Sequence, residues 1–343
     1  MRFVLICWLS IIALAGPDHA RAAEHIMAND STKSIFDLLS QEDVLHINIK
    51  TDITKFLDNK NTHETQKALI EIKGDLVHPD KWIVDISARG KHRRKTCDFP
   101  PVKLKFKKSV LKNNHLEKFN SLKLVTHCGS RAEAEELLLK EYLVYKLYNN
   151  LTPHSFRVQL VEIDWQDSNN QHNIGIKWGF IIEHKDEVAH RLSCTEHHGS
   201  GVFHHEMNTS NASISYMFQY MIGNHDWHLE SGRNLNFIHD HISDEVLAIP
   251  YDFDFSMLVD AYYISLEWEL KGNNMRVYLG EFTDEENEET IAFFKSKKKE
   301  LLKIIKSFKP LTRSTRFEMT SYIRSFYAHL NKPLQRVNDV QSQ

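Results

Sequence analysis

What most constrains the fold of this chain is a change of hydrophobic period near residue 130. Between about residues 40 and 130, the segments "VLHINIKTDI", "KWIVDISARG", "PPVKLKFKKS" and "SLKLVTHC" alternate apolar and polar residues. That period of two puts successive side chains on opposite faces of a sheet. The run "SRAEAEELLLKEYLVYKLYNNL" (130–151) then switches to helical spacing, with Ser130 placed to cap and acids in the first turns, which predicts an amphipathic helix. Strand character returns in "SFRVQLVEIDW" and "IKWGFIIEH". After about residue 185 come a His-rich segment, a helix over "NASISYMFQYMIG" (211–223), a polar loop, a strand over "VLAIPYDFDFS", and charged helices. The expectation is an α+β chain, sheet-rich over 23–185 and helix-rich over 186–343, with a frayed tail "RVNDVQSQ". At 343 residues and 41% hydrophobic content the chain is long enough for a sizeable core.

The first residues, "MRFVLICWLSIIALAGPDHARAAEH", combine Arg2, an apolar run and the small-x-small pattern Ala20-Arg21-Ala22. They read as a secretory signal over 1–22, too short in its apolar part for the about 20 residues that span a bilayer. A secreted or periplasmic protein with no integral membrane segment after cleavage is expected. Removing the signal leaves Cys97, Cys128 and Cys194, so an oxidising compartment would yield one pair and one leftover thiol. Cys97 and Cys128 each sit at the edge of a strand-like run and are the expected pair. The net charge of −3 gives no general pull toward nucleic acid. The basic runs "KHRRK" (91–95) and "KSKKK" (295–299) read as solvated faces.

Chemistry concentrates in "GNHDWHLESGRNLNF" (223–237) and "YDFDFS" (251–256). Asp226 and Asn234 alone could be ordinary turn formers. Asp252 and Asp254 are harder to dismiss, because two acids interrupt an aromatic strand and like charges on one face call for a counter-ion. Strand alternation would put both carboxylates on one face about 7 Å apart, suited to magnesium or manganese bridging phosphates. The order of elements is that of a two-lobed, atypical protein-kinase-like fold, with a sheet-rich N-lobe and a helical C-lobe. In kinases a strand lysine and a helix glutamate serve the phosphates, a loop aspartate orients the hydroxyl, and an asparagine and a later aspartate hold metal.

The set "ISARGKHRRK", "VKLKFKK", "LLLKEYLVYKLYN", "WGFIIEH", "MIGNHDWH" with a later Asn, and "IPYDFDFS" resembles the CotH-like secreted kinases, relatives of the spore coat protein H. It covers roughly residues 80–260. The resemblance implies ATP and Mg2+ or Mn2+ as cofactors, and transfer of the γ-phosphoryl group to a hydroxyl acceptor of unknown class, protein, glycan or lipid, with no nucleic-acid partner. It places Asp226 as the catalytic carboxylate and Asn234 with Asp252 on metal, Asp254 being a close second and Asn236 a competitor for the asparagine role. Glu141, Arg89 of the Arg89-Gly90 pair, and a strand lysine would serve the phosphates, Lys105 being preferred to Lys123. Glu183 would lie at the lobe connection where backbone holds the adenine. The alternative is an inactive kinase-like extracellular binding module, recognising a partner through the His-rich run "CTEHHGSGVFHHE" (194–206). That run matches no closed zinc motif. A binuclear phosphoesterase is excluded because no Gly-His-x-His follows the "GNHD" turn.

Overall fold

The computed structural model describes residues 33–62, 64–74, 79–129, 132–199, 201–261, 276–330 and 334. The expected signal over 1–22, the Ser130 cap and the tail from 336 onward lie outside the described residues. Seven strands follow the period-two segments: β1 (Val44–Thr51), β2 (Gln66–Ile72), β3 (Lys81–Ala88), β4 (Val102–Lys105), β5 (Ser121–Thr126), β6 (Val158–Asp167) and β7 (Gly175–Ile182). They close into a barrel in the order β1-β2-β3-β4-β5-β7-β6, with β6 lying parallel to β1 from Val44↔Leu160 to Thr51↔Asp167. The sheet-rich expectation therefore holds as content, while the closure and β2 ("QKALIEI") are found only in the structure. Closure removes the open edges that a sheet of this length would otherwise expose.

Alternation is visible in what the barrel encloses. Ile47, Ile49, Ile70, Val84, Ile86, Leu104, Leu122, Leu124, Ile163 and Trp165 are buried in one apolar cluster, while their sequence neighbours face outward. The long helix α1 (Ala132–Leu151) packs Leu139, Tyr142, Leu143 and Leu147 in a second cluster with Val158, Leu160, Phe180 and Ile182. The start of β6 and the end of β7 are thus buried on both faces. This explains why "GFII" reads as a continuous apolar run rather than an alternating one.

The second half begins with α2 (Lys185–Arg191) and the short β8 (Thr195–Glu196), followed by α3 (Thr209–Ile222), β9 (Leu235–Asp240) and β10 (Glu245–Pro250). The three strands form a small sheet in the order β10-β9-β8. Helices α4 (Asp284–Ser307) and α5 (Arg313–His329) complete it, the first started by a reciprocal capping box between Thr283 and Glu286. A buried ion network ties the halves together. Arg157, just before β6, pairs with Glu183 at 2.8 Å, Glu187 at 2.8 Å and Asp37 at 2.7 Å. Arg191 adds a second cation to Glu183 at 3.0 Å, and the Ser34 hydroxyl donates to Glu187 at 2.5 Å.

Cys97 and Cys128 are bridged, as expected from the sequence, and Cys194 is a buried free thiol. The bridge closes a loop of sequence separation 31, which in the chain-entropy account stabilises by about 3–4 kcal/mol. Urea unfolding of Cys97→Ser/Cys128→Ser under oxidising conditions is expected to show a loss of that order. Reductant should bring the wild type to the same midpoint, and an unchanged midpoint in the variant would argue against the bridge.

Candidate functional site

The polar loop is built around the end of α3. Gly223 terminates the helix in the left-handed region, at φ 64°, a conformation glycine adopts without a Cβ penalty. Asn224 is then buried, donating through Nδ2 to Gln219 Oε1 at 2.9 Å and accepting the Asp226 N–H at 3.1 Å. The Trp227 indole N–H donates to the Asn224 carbonyl at 3.2 Å. The Gly-Asn-x-Asp turn is therefore held from inside, which leaves the Asp226 carboxylate to face outward. Asn234 Nδ2 reaches back to it, donating to the Asp226 carbonyl at 2.6 Å and to Oδ2 at 3.0 Å. Asn236 instead lies within β9, in register with Ile249, so the partner of Asp226 is Asn234.

The acidic segment departs from expectation in an informative way. Strand β10 stops at Pro250 instead of running through Ser256, and Asp252 turns left-handed at φ 63°. Phe253 is fully buried against Tyr145, at 4.7 Å between ring centroids, and Phe218. The Tyr145 hydroxyl accepts the Asp252 N–H at 2.8 Å. This reversal, and not strand alternation, makes the two acids converge. Asn234 is also left-handed, at φ 54°; non-glycine residues held there cost on the order of 1 kcal/mol or more each and gather where function needs them.

The cation at the centre is one the sequence reading assigned to solvent. Arg93 Nη2 lies 2.9 Å from Glu141, 2.7 Å from Asp254 and 3.7 Å from Asp252. Glu141 is 3% exposed; its expected lysine partner is replaced by this guanidinium. The available clue was local: Arg93 follows the tight turn at Gly90, φ 82°, in a chain with several acids in need of a counter-ion. Lys140, which precedes Glu141 on α1, donates to the Val259 carbonyl at 3.2 Å.

Arg89, Arg93, Lys123, Glu141, Asp226, Asp252 and Asp254 all line one cleft of about 360 Å³. Lys105, the preferred lysine, does not line this cleft: it lies on β4 in a neighbouring groove with Lys91, Arg94 and Lys103, whereas Lys123 on β5 lines the cleft. Lys123 sits over the Tyr251 ring at 5.0 Å. Burial, with Arg89 adding, pulls its ammonium down to about 8. Glu183 is likewise not a cleft residue. Its carboxylate is committed to Arg157 and Arg191, and its N–H donates to the Arg157 carbonyl at 3.1 Å.

Desolvation raises the Asp226 carboxyl above its usual range, against Arg233 and Asn234. Desolvation low in the cleft, then the neighbouring Asp254, also raises Asp252, while Arg93, Arg89 and Lys123 pull it back. Asp252 nevertheless keeps its side chain about half open to the cleft, at 49% exposure. Burial, opposed by Arg93, holds Glu141 well above a normal carboxyl. The donors that Asn234, Asp252 and Asp254 offer are all hard oxygens. Their chemistry fits a magnesium-like ion. Among the described residues, no group of three His, Cys, Asp or Glu side chains gathers as a metal cage. In the His-rich run, the His197 N–H instead donates to the Phe237 carbonyl and the His204 ring packs on Phe282.

No protein-family model and no curated protein matches this chain. Among solved structures, it is similar to the crystal structure of a Helicobacter pylori proinflammatory kinase, CtkA. The TM-score is 0.39 at 9% identity, over 71% of this chain and 93% of that one, a likeness too distant to assign an activity.

Proposed function

We propose that this chain is a two-lobed, kinase-like phosphotransferase of the CotH type that moves the γ-phosphoryl group of ATP to a hydroxyl acceptor with the help of Mg2+ or Mn2+. The observation that carries the proposal is the meeting, in one cleft, of Asp226, the Asp252/Asp254 pair, and the cations Arg89 and Lys123 from separate elements, with Asn234 hydrogen-bonded to the Asp226 carboxylate. Asp226, poised by Asn224 and Asn234, orients the attacking hydroxyl and takes its proton. Arg89 and Lys123 face the phosphates. Asn234, Asp252 and Asp254 are the residues that would hold the metal, which supplies neutralisation of charge on the transferring phosphoryl oxygens.

A second cavity of about 660 Å³, walled by Tyr216, Trp227, His228, Glu230 and Phe282, opens next to the loop of Asp226 and offers room for an acceptor. Secretion or export to the periplasm is supported by the signal-like first residues and by the Cys97–Cys128 bridge, since structural disulfides persist in oxidising compartments.

Thermal unfolding of the mature chain with ATP or ADP, with and without Mg2+ or Mn2+, tests the reading. A ligand at about a hundredfold excess over its Kd adds about 2.7 kcal/mol. The expected result is metal-dependent stabilisation in wild type that is lost in Asp252→Asn, and the absence of any shift at millimolar nucleotide would overturn the proposal. The inactive binding module is the second reading, favoured by one observation: the guanidinium of Arg93 already rests on both acids and on Glu141. Nucleotide binding indifferent to metal and to Asp252→Asn would decide for it.

A further inference from the structure

We infer that Arg93 is the cation that Glu141 holds for the nucleotide phosphates, filling the position expected of a strand lysine; this rests on the nucleotide reading of the cleft.

Four observations support it. Glu141 is buried on the middle of α1, and its carboxylate lies 2.9 Å from Arg93, so the guanidinium is oriented from the helix as a kinase lysine is by its glutamate. Arg93 is also placed from its own side. The chain turns at Gly90, whose carbonyl accepts the Arg94 N–H at 3.2 Å, and this sends residue 93 down into the cleft beside Asp226 and Asp252. The ion-pair partner of Glu141 among the described residues is Arg93 and not a lysine candidate: Lys105 lines the neighbouring groove, and Lys123, although it lines the cleft, packs over the rings of Tyr251 and Phe156 at 5.0 and 5.7 Å. Finally, a guanidinium suits the position chemically. It stays charged when buried and presents a planar fork of donors that can face carboxylate and phosphate together.

The arrangement also couples the acids to the phosphates. Asp254 contacts Arg93 through both Nη2, at 2.7 Å, and Nε, at 3.3 Å. Asp252 and Asp254 would hold a divalent cation, and Arg93 would then retain Glu141 as its carboxylate partner beside the phosphates. Arg93 is therefore a binding residue, and Glu141 a positioning residue that acts through it.

The test compares Mg-ADP with adenosine by calorimetry, because only the first carries phosphates. Arg93→Met should weaken Mg-ADP by roughly ten- to a hundredfold, the range of a charge-assisted hydrogen bond, and leave adenosine unchanged. A bare Glu141 could unfold that variant, so Arg93→Met/Glu141→Gln, which removes both charges, serves as the folded control and should show the same split. Glu141→Gln alone should weaken Mg-ADP without moving adenosine, and Arg93→Lys should recover part of the loss. Lys105→Met should bind as wild type. If the double variant binds Mg-ADP as tightly as wild type, or loses ADP and adenosine equally, Arg93 is a structural counter-ion and the inference falls. Wild type binding neither ligand would instead sink the nucleotide reading of the cleft, and this inference with it.

Discussion

Asp226→Asn is expected to lower phosphoryl transfer by roughly 10²- to 10⁴-fold, the usual range for a general base, while Mg-ATP binding stays near wild type. The substitution is nearly isosteric. Asn224 still receives the residue 226 N–H, and Asn234 still reaches the 226 carbonyl, because both contacts use backbone atoms. What disappears is a carboxylate that can accept a proton. Burial already holds that carboxyl above its ordinary range, which moves it toward the pH at which a base both ionises and accepts. ATP hydrolysis by water gives a readout while the acceptor is unknown. Equal hydrolysis by wild type and Asp226→Asn, above a heat-killed blank, would remove Asp226 from the chemistry. Hydrolysis by neither, with Mg-ATP still bound, would favour the binding module.

Arg157→Met should lower stability by about 3–5 kcal/mol, as when one partner of a buried ion pair is removed. The loss arises because the carboxyls of Glu183 and Glu187, 0% and 3% exposed, would be left buried without their main cation. Arg191 still serves Glu183, so the result should fall at the lower end of that range. The unfolding midpoint in urea measures it, and a shift within that of an ordinary surface substitution would show the network to be dispensable. The same site predicts a pH dependence. Burial pushes Glu187 up to about 7 from an ordinary value of 4.5. The folded state therefore holds this proton more tightly than the unfolded chain, so the contribution of Glu187 to stability is fully present below about 4.5 and is lost as pH rises toward 7. Glu187→Gln should flatten that decline.

Much of the local structure was legible because it depends on neighbours within a few residues. Period-two segments became strands, the run over 130–151 became α1 over the residues described, and the glycine of Gly223-Asn224-His225-Asp226 became the left-handed end of α3. The pairing of Cys97 with Cys128 was also readable from two strand edges. Asp226, Asn234, Asp252 and Asp254 were singled out from type and order, Glu141 and Arg89 from the family resemblance, and the fold brings Asp226, Asp252, Asp254, Glu141 and Arg89 to one cleft, with Asn234 hydrogen-bonded to Asp226 beside it.

What only the tertiary structure decided were the encounters between distant residues. The pairing of β1 with β6 closes the barrel across more than a hundred residues, and no local period encodes a partner so far away. The placement of β5 beside the cleft, and of β4 beside the neighbouring groove, brings Lys123 and not Lys105 to Arg89 and Asp252, a difference that composition cannot see. The left-handed turn at Asp252 replaced a strand whose alternation looked sufficient, because the buried Phe253 and the Tyr145 hydroxyl outweigh β-propensity there. Arg93 looked like one charge in a solvated run, and its role depends on three carboxylates contributed by α1 and the segment after β10. Sequence spacing determines which face a side chain takes, whereas long-range packing determines what charge it meets on that face.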